Sequence, residues 1–220
     1  LIGDPRKDYV FSEIRKAIGI EPENAAYDYI LCGLLLREAL EPSKTWKKGD
    51  PPEKFYTIRD RRKLDQAMSE LKKGMRKPYF RLYTQEMAQE RMKILDFKTD
   101  YIGQIHRIAF TAGILLQTLS LEREIFRAIP LYANLLIPDG KESEAEFYMD
   151  AWKHIIPQFN NDSFTLIDQL VIAACLNIQH DYAVRRKDTS RIKELAIAVE
   201  PMNTWRAKSS KTEMEMLQKH

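Results

Sequence analysis

The 220-residue sequence is poor in glycine, cysteine and histidine, with eight, two and four of them. Each shortage excludes something. There is no Gly-rich loop to cradle a phosphate and no Gly-x-Ser-x-Gly turn to present a nucleophile. The cysteines make no Cys-x-x-Cys pair, and no histidine stands in a His-Glu-x-x-His or Glu-x-x-His motif. Asp139-Gly140-Lys141-Glu142 lacks the alternating oxygen ligands of a calcium loop and reads as a turn. No cofactor and no metal are implied. No window holds the roughly 18 apolar residues that a membrane-spanning helix needs. The longest apolar run, Tyr29 to Leu36, is sized for a core. No segment alternates as a half-buried strand does, so no strand is expected.

What is present favours helix. Leu, Ile, Ala, Glu, Lys and Arg dominate, and the apolar and charged fractions are those of a globular chain. The net charge of +3 is unevenly spread. Residues 44–93 carry fifteen Lys/Arg against seven Asp/Glu, whereas 94–184 carry six against twelve. An anionic partner would therefore meet one basic stretch rather than a general polycation. Cys32 and Cys175 sit inside apolar helical runs and read as buried free thiols, with one long-range disulfide as the alternative. The chain opens Leu1-Ile2-Gly3 without Met, so removal of something upstream is expected, and a missing signal peptide excludes nothing.

Helical spacing of apolar residues recurs along the chain. A short helix is expected over Asp8–Ile18, ended by Gly19. Asn24 is the expected N-cap of a helix running to about Glu41, buried on most faces. Residues from 42 to about 58, with three prolines and Gly49, read as a loop. A polar helix from about Asp60 to Met75 carries the narrow stripe Leu64, Ala67, Met68 and Leu71. Pro78 opens the next helix, through Phe80, Tyr83, Met87 and Met92 to Leu95. Thr99 or Asp100 caps a helix that gives way, at Ser120, to another that Pro130 either kinks or breaks. Pro138-Asp139-Gly140 is a turn. Ser143 and Glu146 form a capping box for a helix that reaches Ile155 and ends at Pro157. Asp162 or Ser163 caps a helix to about Arg186, and a shorter one spans Thr189–Val199. The stretch around Trp205 is weakly amphipathic, and residues 208–220 are expected to fray.

The expected fold is thus a single all-α domain over residues 1–220, of about 8–10 helices. Helix pairs begin near residues 60, 99, 143 and 188, a spacing of roughly 40–45 that suits stacked antiparallel hairpins of a TPR-like α-solenoid. An irregular helical bundle is the alternative, since no consensus repeats from pair to pair.

Three functional classes remain open. The first is a non-catalytic interaction or scaffold domain for a protein or peptide partner, with Tyr79, Phe80, Tyr83 and Met87 as candidate contacts. The second is an anion-binding module, for nucleic acid or anionic lipid, on Arg59, Arg61, Arg62, Lys63, Lys72, Lys73, Arg76, Lys77 and Arg81. There the bland alternative is a solvated helix whose cationic stems cover apolar surface. The third is an enzyme with a composite site, which requires His106, Asp150 or His154 to meet in one pocket.

Asn24-Ala25-Ala26-Tyr27 and Thr165-Leu166-Ile167-Asp168-Gln169-Leu170-Val171 each open a helix. These two motifs resemble uncharacterised bacterial helical proteins, TPR-like in layout and often exported or membrane-anchored. The resemblance implies helical hairpins and an envelope location in preference to the cytoplasm. It implies no activity and no functional residue.

Overall fold

The computed structural model describes the backbone of residues 5–47, 49–94, 100–161 and 166–200. Among these residues the side chains of 5–7, 84, 85, 88, 92, 94, 101, 106–119, 166 and 167 lie outside the description. Thr99, Asp162, Ser163, Trp205 and residues 208–220 also fall outside it, as does the side chain of His106.

The described chain is mostly helical. The elements are α1 (Pro5–Ile20), α2 (Ala26–Ala39), β1 (Leu40–Pro42), a 3-10 turn (Pro52–Lys54), β2 (Tyr56–Ile58), α3 (Arg61–Met75), α4 (Thr84–Ile94), α5 (Tyr101–Leu136), α6 (Glu142–Met149), α7 (Trp152–Asn161) and α8 (Leu166–Arg185). A further helix, α9, covers 189–200. They pack as two compact units. The first holds the described residues up to Leu40 and from Ile58 to Ile125, and the second holds Glu41–Thr57 and those from Phe126.

The first unit is built on α2 against α3. The stripe expected on α3 is the one that packs: Leu64, Ala67, Met68 and Leu71 are fully buried. Asp60 caps that helix, its carboxylate accepting from the Lys63 N–H at 3.1 Å. From α2 the core takes Ala26, Tyr29, Leu31, Cys32 and Leu36. Two glycines let neighbours approach. A Cβ on Gly74 would stand 2.5 Å from the Tyr29 ring, and one on Gly33 would stand 1.7 Å from a Leu121 methyl. Cys32 is a buried free thiol, and burial pushes its ionisation well above the ordinary thiol range.

In the second unit Phe126, Ile129, Ala133 and Leu136 of α5 join Tyr148, Met149, Ile155, Cys175, Leu176, Leu195 and Val199 in the core. Cys175 is likewise buried and in no disulfide. Pro130 lies inside α5 without ending it. A proline there deprives the carbonyl four residues back, that of Phe126, of its N–H donor. The buried Gln179 of α8 supplies one instead, its amide donating to the Phe126 carbonyl at 3.0 Å.

Several expectations are corrected. Two strands do exist, pairing as β1–β2. At three residues each, they are too short for a period-two signal. Ser120 starts no new helix, since α5 continues through it. Its hydroxyl accepts from Arg37 at 3.1 Å rather than capping. Ser143 is no cap either: α6 starts at Glu142 after Lys141, and no side chain caps it. The helix expected to pass Ala151 breaks there, and α7 restarts at Trp152 with Pro157 inside it. Residues 78–83 are not helical, for a reason that lies in Asn24.

Candidate interaction surface

Asn24 is completely buried, and every polar atom of its side chain is used. Its Oδ1 accepts from the N–H groups of Ala26 and Arg81, both at 3.0 Å. Its amide donates to the Arg81 carbonyl and to the Glu21 carboxylate, both at 2.9 Å. The Ala25 N–H donates to the Tyr79 carbonyl at 2.8 Å. Residues 79–81 are therefore held extended beside Asn24, as a parallel bridge to Tyr79, against their helical spacing. The chain leaves this bridge through Tyr83, at φ +54, and only then enters α4.

This settles where the four candidate contact residues stand. Phe80 enters the core, its ring 5.9 Å from that of Tyr29. Tyr79 is half-buried. Tyr83 donates its hydroxyl to Glu21 at 2.6 Å, and the bond lifts the phenol to about 12. The same bond, with that from Asn24, holds the Glu21 carboxyl below its ordinary range. Met87 is 43% exposed. The four do not share one described pocket.

The nine basic candidates are similarly divided. Lys63 pairs with Glu38, Lys77 with the buried Asp28, and Arg81 with Glu86. Arg61 meets Asp65 at 3.0 Å and Lys73 meets Glu70 at 2.8 Å. Arg59, Arg62 and Arg76 are exposed, and Lys72 is half-buried. At least five of the nine charges are thus answered by carboxylates of the same unit, which leaves a weaker field than the sequence implies.

Of the residues considered for a composite catalytic site, Asp150 accepts from the Arg191 guanidinium at 3.0 Å. Arg191 also pairs with Glu146 at 2.8 Å and with Asp188, which makes Asp150 part of a structural ion network. His154 is exposed on α7. Among the described residues no group of three His, Cys, Asp or Glu side chains is placed to hold a metal.

A concave apolar surface lies elsewhere in the first unit. Val10 and Phe11 of α1 and Leu34 of α2 line a groove of about 300 Å³, with Arg37 and Glu38 at its rim. Phe11 also lines a more open furrow of about 620 Å³ with Asp8, Ser12, Arg15 and Lys16. Both rim charges are already held. Arg37 reaches Glu124 at 2.9 Å, and Glu38 pairs with Lys63. Beside the groove α1 exposes Tyr9, 65% accessible, and Val10, 43%; Ile20, 80% accessible, stands at the far end of the same helix.

A signal for this surface was present in Tyr9-Val10-Phe11. Three consecutive apolar residues on a helix fan over about 200°, more than one packed face covers, so one must face outward. Leu34 carried no such mark, because apolar residues lie on most faces of α2. No family model, curated protein or solved structure matches this chain. Among the described residues no helix is long and apolar enough to cross a membrane.

Proposed function

We propose that this chain is a non-catalytic helical interaction domain that docks an apolar-faced helical segment of a protein partner in the groove between α1 and α2. The observation that carries this reading is the exposed aliphatic and aromatic face of α1, Tyr9 and Val10, beside the groove over Phe11 and Leu34. Isolated exposed apolar residues are commonplace, but adjacent ones bordering a concavity are a feature of docking sites. A groove between two helices matches the i, i+3, i+4, i+7 anchors of a partner helix. Because Arg37 and Glu38 are each occupied by an internal partner, the attraction would be hydrophobic and nearly independent of salt. Helical hairpins stacked in a TPR-like array, or an irregular bundle, would serve equally as the scaffold for such a groove.

The test is capture of a partner by the purified chain and by its Val10→Asp variant, at low and at high salt. A partner retained at both salts by the native chain and lost on Val10→Asp supports the reading. A partner held equally by the variant places the contact elsewhere.

A further inference from the structure

In the second unit, five exposed cations lie on two stretches of chain that are distant in sequence. One is the loop after β1, where Lys44 and Lys47 are exposed. The other is the end of α8, where Arg185, Arg186 and Lys187 are exposed in succession. The two are tied together. The Arg185 guanidinium donates to the Gly49 carbonyl at 3.3 Å, and the 3-10 turn Pro52–Lys54 packs on α8. Arg186 lies 5.9 Å from the ring of Tyr182, one turn back.

Among the described residues none of these five side chains forms an ion pair. Two of the acids nearby are engaged elsewhere. Asp50 accepts from the Lys47 backbone N–H at 2.7 Å. Asp188 accepts from the Arg191 backbone N–H at 3.0 Å and pairs with its guanidinium. Glu53 is near enough for its charge to raise the Tyr182 phenol and keeps a buried Oε2 without a hydrogen-bond partner, and Asp181 stands exposed one turn before Arg185. Cations at a helix C-terminus are ordinary complements of its dipole, but that does not account for Lys44 and Lys47. Nor does it account for Lys187 at φ +56, a left-handed position that glycine fills at less cost.

We propose that this surface docks on anionic lipid bilayers. Aliphatic rather than aromatic exposure points to lipid over nucleic acid. Val184, next to the cations, is 47% accessible and gains from an interfacial acyl layer but not from a phosphodiester chain. The aromatic group in the loop, Trp46, is only partly open to bases. It is half-buried against Phe55 at 4.9 Å, and its indole N–H is tied to the Pro51 carbonyl at 3.3 Å.

Co-sedimentation of the full chain with vesicles tests the assignment, using phosphatidylcholine with and without about one third phosphatidylserine. Binding is expected to the anionic vesicles alone and to disappear in about 0.5 M salt, where the screening length falls to a few ångströms. Each cation near such a surface contributes roughly fivefold. The triple variant Lys44→Glu, Lys47→Glu and Lys187→Glu is therefore expected to lose at least tenfold in partitioning with its circular dichroism unchanged. Arg62→Glu with Arg76→Glu, on exposed positions of the other basic stretch, is expected to bind as the native chain does. Equal binding to neutral vesicles, no binding to anionic vesicles at low salt, or a triple variant that binds normally would each overturn the proposal. So would preferential retention of a single-stranded oligonucleotide.

Discussion

The pairing of Gln179 with the carbonyl that Pro130 leaves without a donor can be tested by a double-mutant cycle. The Phe126 carbonyl is buried, the Gln179 side chain is 2% accessible, and their bond is 3.0 Å long. Gln179→Met keeps the length of the side chain and removes the donor. A buried acceptor left unpaired costs about 1–3 kcal/mol, and about 2 kcal/mol is expected here because no water has ready access. That is a sizeable share of a total stability of roughly 5–15 kcal/mol. In a Pro130→Ala background the new backbone N–H serves the Phe126 carbonyl itself. Gln179→Met should then cost less than about 1 kcal/mol, a coupling of about 1–2 kcal/mol between residues that need not touch. Urea unfolding followed by circular dichroism measures all four corners of the cycle, with an unchanged slope as the check that each shift is one of stability. Equal costs in the two backgrounds would refute the reasoning.

Other perturbations have defined signs. Gly19 is helical in α1 with open space where a Cβ would go, so Gly19→Ala should stabilise by about 0.5–1 kcal/mol in urea unfolding. Gly33→Ala, which drives a Cβ into Leu121, should instead cost about 1–3 kcal/mol by the same assay. Glu21 contributes stability that is present above the ordinary carboxylate pKa and is lost as pH falls through its lowered value in the fold. Tyr83→Phe removes the largest cause of that lowering, so the gap in urea midpoint between native and variant chains should narrow on acidification from pH 6 to pH 3. Arg191→Ala removes the cation shared by Glu146, Asp150 and Asp188, all partly open to solvent and Asp150 still paired with Lys153, and should cost about 2 kcal/mol in thermal or urea unfolding.

Where a helix is held by its own apolar stripe, its sequence was enough to find it: α3, α2 and α8 stand within a few residues of their expected bounds. The errors fall where a tertiary bond overrules local spacing. Phe80 and Tyr83 have helical spacing, yet Asn24 takes both backbone groups of Arg81 and keeps 79–81 extended. Asn24 has the residue type expected of the cap of α2, and it does accept from the Ala26 N–H. It stands one residue before the cap position, which Ala25 occupies. Its hold on a segment 57 residues away has no local signature. At the break before α7, Asp150 is bonded to Arg191, 41 positions later in the chain and equally without a local signature. The basic stretch was legible as charge but not as free charge, because the carboxylates that answer Lys63, Lys77 and Arg81 sit on α2 and α4. The groove was the least legible feature of all, since it depends on which sides of α1 and α2 are left uncovered.

The most direct measurement is site-specific photocrosslinking from position 10, in the groove, with position 87 as the exposed apolar control. The central claim requires a discrete crosslinked protein from position 10 alone, equally at 0.1 and about 0.5 M salt. A synthetic copy of its crosslinked segment should be helical and apolar on one face, and Tyr9→Glu should abolish its binding. The same adduct from both positions, or a segment that binds Tyr9→Glu as well as the native chain, would contradict the claim.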